Sequence, residues 1–194
     1  MRKLLLCVLF ISLNQAAELE LGSLMPGTDH KMRDISGNDI TLDDIKGEKG
    51  TIVIFSCNTC PWVIRWEDRY VTIAESYIPK GVGMLAVNSN ASRFKGDDSL
   101  GNMIIHAKEK KYNFPYAQDP NSELAMLFGA TKTPHVYLFD KSNRLVYRGA
   151  IDDNARDSRL VDEPFLANAI NNIIEDKPVE KPVSKAIGCS IKFP

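Results

Sequence analysis

The sequence predicts an α/β protein in which one mixed sheet is flanked by helices, and three observations carry that prediction. Residues 51–56 are an almost unbroken apolar, β-branched run, the pattern of a strand buried on both faces. An amphipathic helix follows, with Trp62, Val63, Trp66, Tyr70, Ile73, Ala74 and Tyr77 recurring at three- and four-residue spacing. Residues 82–87 are a second apolar strand, so strand, helix and strand make a βαβ unit whose strands should be parallel.

The remaining elements fit around that unit. Residues 30–41 read as a β-hairpin turning at 36–39, and residues 41–47 as a single helical turn with Thr41 as its cap and Gly47 at its end. The long helix should stop near Ile78, ahead of Pro79 and Gly81. Asp97, Asp98 and Ser99 open a helix that continues to Tyr112, residues 114–117 form a short strand, and Gly129 closes a short helix over 121–128. A strand over 131–140, entered through Thr133 and Pro134, is followed by a hairpin partner at 145–148. Residues 163–175 carry an apolar stripe and predict the last helix. Two Lys-Pro steps and alternating charges make residues 176–185 an extended tether outside the core, leading to a tail that holds Cys189. The strand that ends in the cysteines should be central, with the final hairpin at one side.

A chain of 194 residues with 44% hydrophobic and 25% charged residues suits one domain. Its 24 basic and 25 acidic residues form no basic stripe, which argues against a nucleic-acid partner. The N-terminus has the layout of a secretory leader over residues 1–17. Arg2 and Lys3 precede an apolar stretch, and Ala16 and Ala17 offer a cleavage point. That stretch, roughly ten residues, is too short to span a bilayer. An exported protein, periplasmic or extracellular, with no stable membrane span after cleavage is therefore expected. The domain would cover residues 18–175 and the tail 176–194. Cleavage removes Cys7 and leaves Cys57, Cys60 and Cys189. One close pair and one distant thiol read as redox chemistry with a third participant, not as a disulfide framework.

Cys57-Asn58-Thr59-Cys60 lies where the buried strand meets the helix, the place at which a thiolate gains most from helix N–H groups. A structural zinc site would need two further ligands. Cys189 is alone and His30, His106 and His135 are scattered, so no metal and no cofactor is expected. Cys57, at or near the helix N-cap, is expected to be the exposed nucleophile, and Cys60, inside the first turn, the more buried resolving thiol. Thr133-Pro134 is expected to be a cis step facing the thiols, leaving Thr133 backbone groups free to pair with an extended substrate. Lys132 and His135 flank it. A solvated lysine and an ordinary strand histidine are the simpler readings, an accessory role the alternative. Trp66 reads as core, while Trp62 is expected to shape the partner-binding surface. Asp152, Asp153 and Asn154 lack the spacing of an EF-hand loop and read as a capping turn.

Several stretches together resemble a known family: Phe55 to Val63 around the cysteines, Phe114 to Tyr116 with Asp119, Phe128 to Thr131 before Thr133-Pro134, Val146 to Gly149 with Asp152 and Asp153, and Ile187 to Lys192. On these residues the chain resembles the thioredoxin-like redoxins of the AhpC/TSA class, specifically an exported subgroup. The resemblance implies a thioredoxin-like fold, a cis Pro134 and thiol–disulfide exchange at Cys57 and Cys60. It implies protein or small-molecule disulfides and an electron-donor thiol protein as partners. The chain departs from its relatives in three ways. No buried acid sits in the strand before the cysteines, Asn88-Ser89-Asn90 stands where related periplasmic reductases keep a Glu, and Lys132 stands where many relatives carry a Cys. The proton acceptor for the resolving thiol is therefore unassigned. Two other functions compete with this reading. A thiol-dependent peroxidase would need a Pro-x-x-x-Thr-x-x-Cys pattern that is missing here. A Cu(I) chaperone would use Cys57, Cys60 and His135, though such proteins space their thiols more widely.

Overall fold

The computed structural model describes residues 17–194, so the expected leader and Cys7 lie outside the described residues, apart from Ala17. The hairpin expected first is present as strands β1 (Met32–Asp34) and β2 (Asp39–Ile40). β3 (Gly50–Ser56) leads through the cysteines into α1 (Pro61–Tyr77), and β4 (Val82–Asn88) returns parallel to β3. Then come α2 (Leu100–Glu109), β5 (Tyr116–Gln118), α3 (Glu123–Phe128), a two-residue strand β6 (Lys132–Thr133), β7 (His135–Asp140), β8 (Leu145–Gly149) and α4 (Phe165–Ile174). The main sheet has seven strands in the order β2-β1-β5-β4-β3-β7-β8, mixed in direction, with β3 in its interior. Among the described residues no helix is long and apolar enough to cross a membrane.

β3 explains why this run is apolar on both faces. Ile52 and Ile54 join the side chains of α1, α2 and α4 on one side of the sheet, including Trp66, Tyr70, Met103 and Ile170. Val53 and Phe55 face the other side, with Leu85, Leu124, Phe128 and Tyr137. There Phe55 meets Phe128 and Tyr137 edge to face at 5.3 and 5.7 Å, the preferred geometry for aromatic pairs.

Two expectations change. Residues 41–47 form a turn and not a helix: the Asp44 carboxylate accepts from the Thr41 N–H (2.8 Å) and hydroxyl (2.7 Å), which closes the loop locally. The larger correction concerns the tail, which is extended as expected but not free. Arg148 N–H donates to the Pro182 carbonyl and Ser184 N–H to the Arg148 carbonyl, both at 3.1 Å, so the tail lies along β8. It ends in a strand that periodicity did not predict, β9 (Cys189–Ser190), paired antiparallel with β6.

One polar cluster is built into the helical layer. Glu67, only 3% exposed, is held by His106 Nε2 at 2.7 Å and Lys110 Nζ at 2.6 Å. Burial opposes its charge, but these partners hold the carboxyl below its ordinary value. Its contribution is thus present above the usual carboxylate range and is lost as pH falls through the lowered value. Glu67→Gln should cost about 1–3 kcal/mol in thermal unfolding at neutral pH. The deficit against the wild type should narrow in acid, where the wild-type carboxyl is itself protonated.

Candidate active site

β3 and α1 bring Cys57 and Cys60 to the carboxyl end of the central strand, as the sequence predicts, but the local geometry differs from that expected. The helix begins at Pro61, and its N-cap is Cys60, with extended backbone at φ −71° and ψ 123°. Pro61 suits that start, since the first helical residue has no intrahelical use for an N–H. Cys57 therefore precedes the helix by a full turn of loop, and it is not the exposed thiol. Cys57 and Cys60 are 3% and 4% exposed, so both are buried.

The Thr133–Pro134 peptide is cis. β7 pairs with β3 so that His135 lies opposite Phe55, and Thr133, two residues earlier, meets both thiols. The Thr133 hydroxyl is 3.4 Å from Cys57 Sγ, and the Thr133 carbonyl is 3.1 Å from Cys60 Sγ. The Thr133 backbone, expected to be free, is occupied: in the β6–β9 pair it lies opposite Cys189. That register brings Cys189 Sγ to 2.6 Å from Cys60 Sγ.

Cys60 is thus the central sulfur. Hydrogen bonding with Cys57, and after it with Cys189, holds the Cys60 thiol down to about 4 against the opposing effect of burial. The Thr133 carbonyl accepts from the Cys60 thiol and so opposes its ionisation. Cys57 is pushed up, first by donating to Cys60 and then by burial, with the Asp98 charge adding to both. Burial and the Cys60 contact push Cys189 up to about 11.

Asp98 is the residue that periodicity and motif did not single out. Read in sequence as part of a helix start, it is 1% exposed and anchors the loop between the thiols and β4. Its carboxylate accepts from the Asn58 N–H at 2.9 Å and from the side-chain amides of Asn88 and Asn90, each at 2.8 Å. Asn88 and Asn90, which stand where related reductases keep an acid, hold one from the turn before α2. With the cysteines, Thr59, Thr133, Arg93 and Lys192, it lines a cleft of about 220 Å³.

Of the other candidates, Trp62 is half-buried beside the thiols, stacked at 6.1 Å on Trp66 and under the Arg65 guanidinium. Lys132 donates to the Ala186 carbonyl at 3.4 Å, so it holds the tail and not a thiol. His135 is 2% exposed, with Nε2 at 3.1 Å from Glu18 and its ring on Tyr137. The structure does not bring it to the cysteines, and among the described residues no three His, Cys, Asp or Glu are grouped to hold a metal ion. Asp152 accepts from Trp66 Nε1 at 2.7 Å and pairs with Arg69, a capping role within the loop.

Comparison with known proteins follows the same lines. An uncharacterized conserved protein from Geobacillus kaustophilus is 34% identical over 92% of this chain and 94% of that one, with a TM-score of 0.84. A hypothetical protein from Sinorhizobium meliloti is 29% identical over 91% and 96%, at 0.83. The thioredoxin domain of a thiol-disulfide oxidoreductase from Bacteroides vulgatus is 23% identical over 69% and 90%, at 0.57, a likeness of fold. No curated protein matches the chain. The Redoxin family model matches residues 20–169, most of the described chain, and with its thioredoxin-like fold this protein belongs to the Redoxin family.

Proposed function

We propose that the protein is a thiol–disulfide oxidoreductase in which Cys60 is the nucleophile and Cys57 the second thiol. The observation that carries this reading is the setting of Cys60: N-cap of α1, beside the cis Thr133–Pro134 step, with the Cys189 sulfur 2.6 Å from its own. Membership of the Redoxin family supports redox chemistry in general terms. The assignment expected from the sequence, Cys57 as nucleophile and Cys60 as resolving thiol, is the alternative that the variants below distinguish.

In this mechanism the Cys60 thiolate attacks one sulfur of a substrate disulfide, and the other sulfur departs as a thiolate. Cys57, after losing its proton, attacks Cys60 in the mixed disulfide and releases the second substrate thiol. A Cys57–Cys60 disulfide remains, carrying the two-electron oxidation taken from the substrate. A dithiol donor reduces it and is itself oxidised. The basic-then-apolar N-terminus supports action on disulfides of exported proteins, in the periplasm or outside the cell.

Reduction of insulin disulfides tests this. Cys60→Ser should abolish it, while Cys57→Ser should accumulate a mixed disulfide on Cys60 that non-reducing electrophoresis detects. The opposite pattern would restore Cys57 as nucleophile, and peroxide consumption sustained by a thiol donor without insulin reduction would move the protein to the peroxidases. Titration of thiolate absorbance gives two further checks. Cys57→Ala removes the strongest donor to Cys60, whose pKa should rise from about 4 toward the ordinary thiol value. Since that value is depressed in the folded protein, the stability it confers is complete above about 8.5 and lost as pH falls through about 4. Asp98→Asn should lower the pKa of Cys57 by removing a neighbouring negative charge. It should also cost about 1–3 kcal/mol, because amide donors would face an amide.

A further inference from the structure

The tail meets the thiols in a way that the two-cysteine cycle does not use. β9 lies on the backbone of Thr133, the edge at which an extended substrate would be expected to pair, and it places a sulfur against the reactive one. The approach is built from both ends. A Cβ on Gly188 would fall 2.3 Å from the Thr133 carbonyl oxygen and 3.1 Å from Pro134 N, so only glycine lets the chain lie this close. Beyond the cysteine, Ile191 N–H donates to the Thr131 carbonyl at 2.9 Å, and its side chain, 5% exposed, enters the core with Phe55 and Val87. Lys192 N–H then donates to Asn90 Oδ1 at 2.8 Å, on the loop that also holds Asp98. The tail is seated on both sides of Cys189, and the sulfur is delivered to one position.

We propose that Cys189 is a third redox-active thiol, and that the oxidised protein keeps its disulfide between Cys60 and Cys189 while β9 fills the substrate-pairing edge of Thr133. This rests on the oxidoreductase reading for the source of the oxidation, but the linkage itself is a property of the chain. The step is an internal exchange. The Cys189 thiol gives up its proton and the thiolate attacks Cys60 in the Cys57–Cys60 disulfide. The Cys60–Cys189 bond forms, the Cys57–Cys60 bond breaks, and Cys57 leaves as a thiolate that takes up a proton. One disulfide and one thiol become one disulfide and one thiol, so no electrons are gained or lost in the exchange. The separation of 2.6 Å between Cys60 and Cys189 sulfurs compares with about 2.05 Å in a formed disulfide, so closing the bond requires little movement. Cys189 is also the most accessible of the three sulfurs, being half-buried where Cys57 and Cys60 are buried, so it presents the stored disulfide to an incoming dithiol donor. In this cycle the tail lifts to admit a substrate disulfide and returns to collect the oxidation.

Disulfide mapping decides the matter. The full chain in a Cys7→Ser background, which leaves the three described thiols, is oxidised with glutathione disulfide, quenched in acid, alkylated and digested. A Cys60–Cys189 peptide pair as the main linkage, with Cys57 alkylated, is the expected result. A Cys57–Cys60 linkage with Cys189 alkylated, or a Cys189 link between two chains, would overturn the proposal. Gly188→Ala supplies the second test, because it lifts β9 without touching a thiol. It should lower the yield of the Cys60–Cys189 pair several-fold and raise the rate of Cys60 alkylation by iodoacetamide in the reduced protein several-fold. If neither changes, the seating of the tail is not what delivers Cys189. Mapping does not depend on turnover. A Cys60–Cys189 linkage without insulin reduction would refute the proposed function and leave this inference standing, and insulin reduction with Cys189 always free would do the reverse.

Discussion

The reactive end of this molecule depends on one residue meeting three sulfurs: Thr133 offers its hydroxyl to Cys57, its carbonyl to Cys60 and its backbone edge to the strand that carries Cys189. Those contacts require the chain to enter β7 through the cis step at Pro134, at the point where β7 pairs antiparallel with β3. The sheet therefore does more than bury apolar surface. Its register decides which atoms of Thr133 face the thiols.

The Asp98 network supports that arrangement from the opposite side. A carboxylate this deeply buried is tolerable only because the Asn58 N–H and two side-chain amides satisfy it. Asn58 also accepts from the Tyr116 hydroxyl at 3.0 Å, which ties the loop between the cysteines to β5. The loop is thus pinned at its middle residue while its two ends present sulfur. The negative charge that organises it also opposes ionisation of Cys57, so one group both shapes the loop and separates the behaviour of the two thiols.

Much of this was readable from residue pattern. The buried β3 run, the α1 stripe, the parallel return of β4 and the β7–β8 hairpin follow from periods of two and 3.6 residues and from glycine and proline punctuation. The pairing of Cys57 with Cys60, and of both with Thr133-Pro134, followed from motif. The rest depended on information that no local pattern carries. Whether a helix begins before or after Cys60 is a matter of one turn, within the usual uncertainty of helix ends, yet it decides which cysteine stands at the N-cap. Asp98 and Asn88 come together across ten positions of chain, and Cys60 and Cys189 across more than a hundred. A Pro- and Lys-rich tail has the composition of a tether. Only the tertiary contacts of Ser184, Gly188 and Ile191 make it part of the fold.

The middle of that tail has a second consequence. β8 is the last strand of the sheet, and its outer edge would otherwise present unpaired N–H and C=O groups to any other extended chain. The segment through Pro182 and Ser184 pairs with Arg148 on that edge and, with proline at positions 178 and 182, offers no regular ladder of donors beyond it. The tail therefore acts as a selvedge to the sheet as well as a carrier of sulfur. Trimming the chain behind α4 would do more than remove a thiol: it would bare a strand edge to neighbouring molecules, so insolubility of a shortened protein would report on the sheet and not on its redox chemistry.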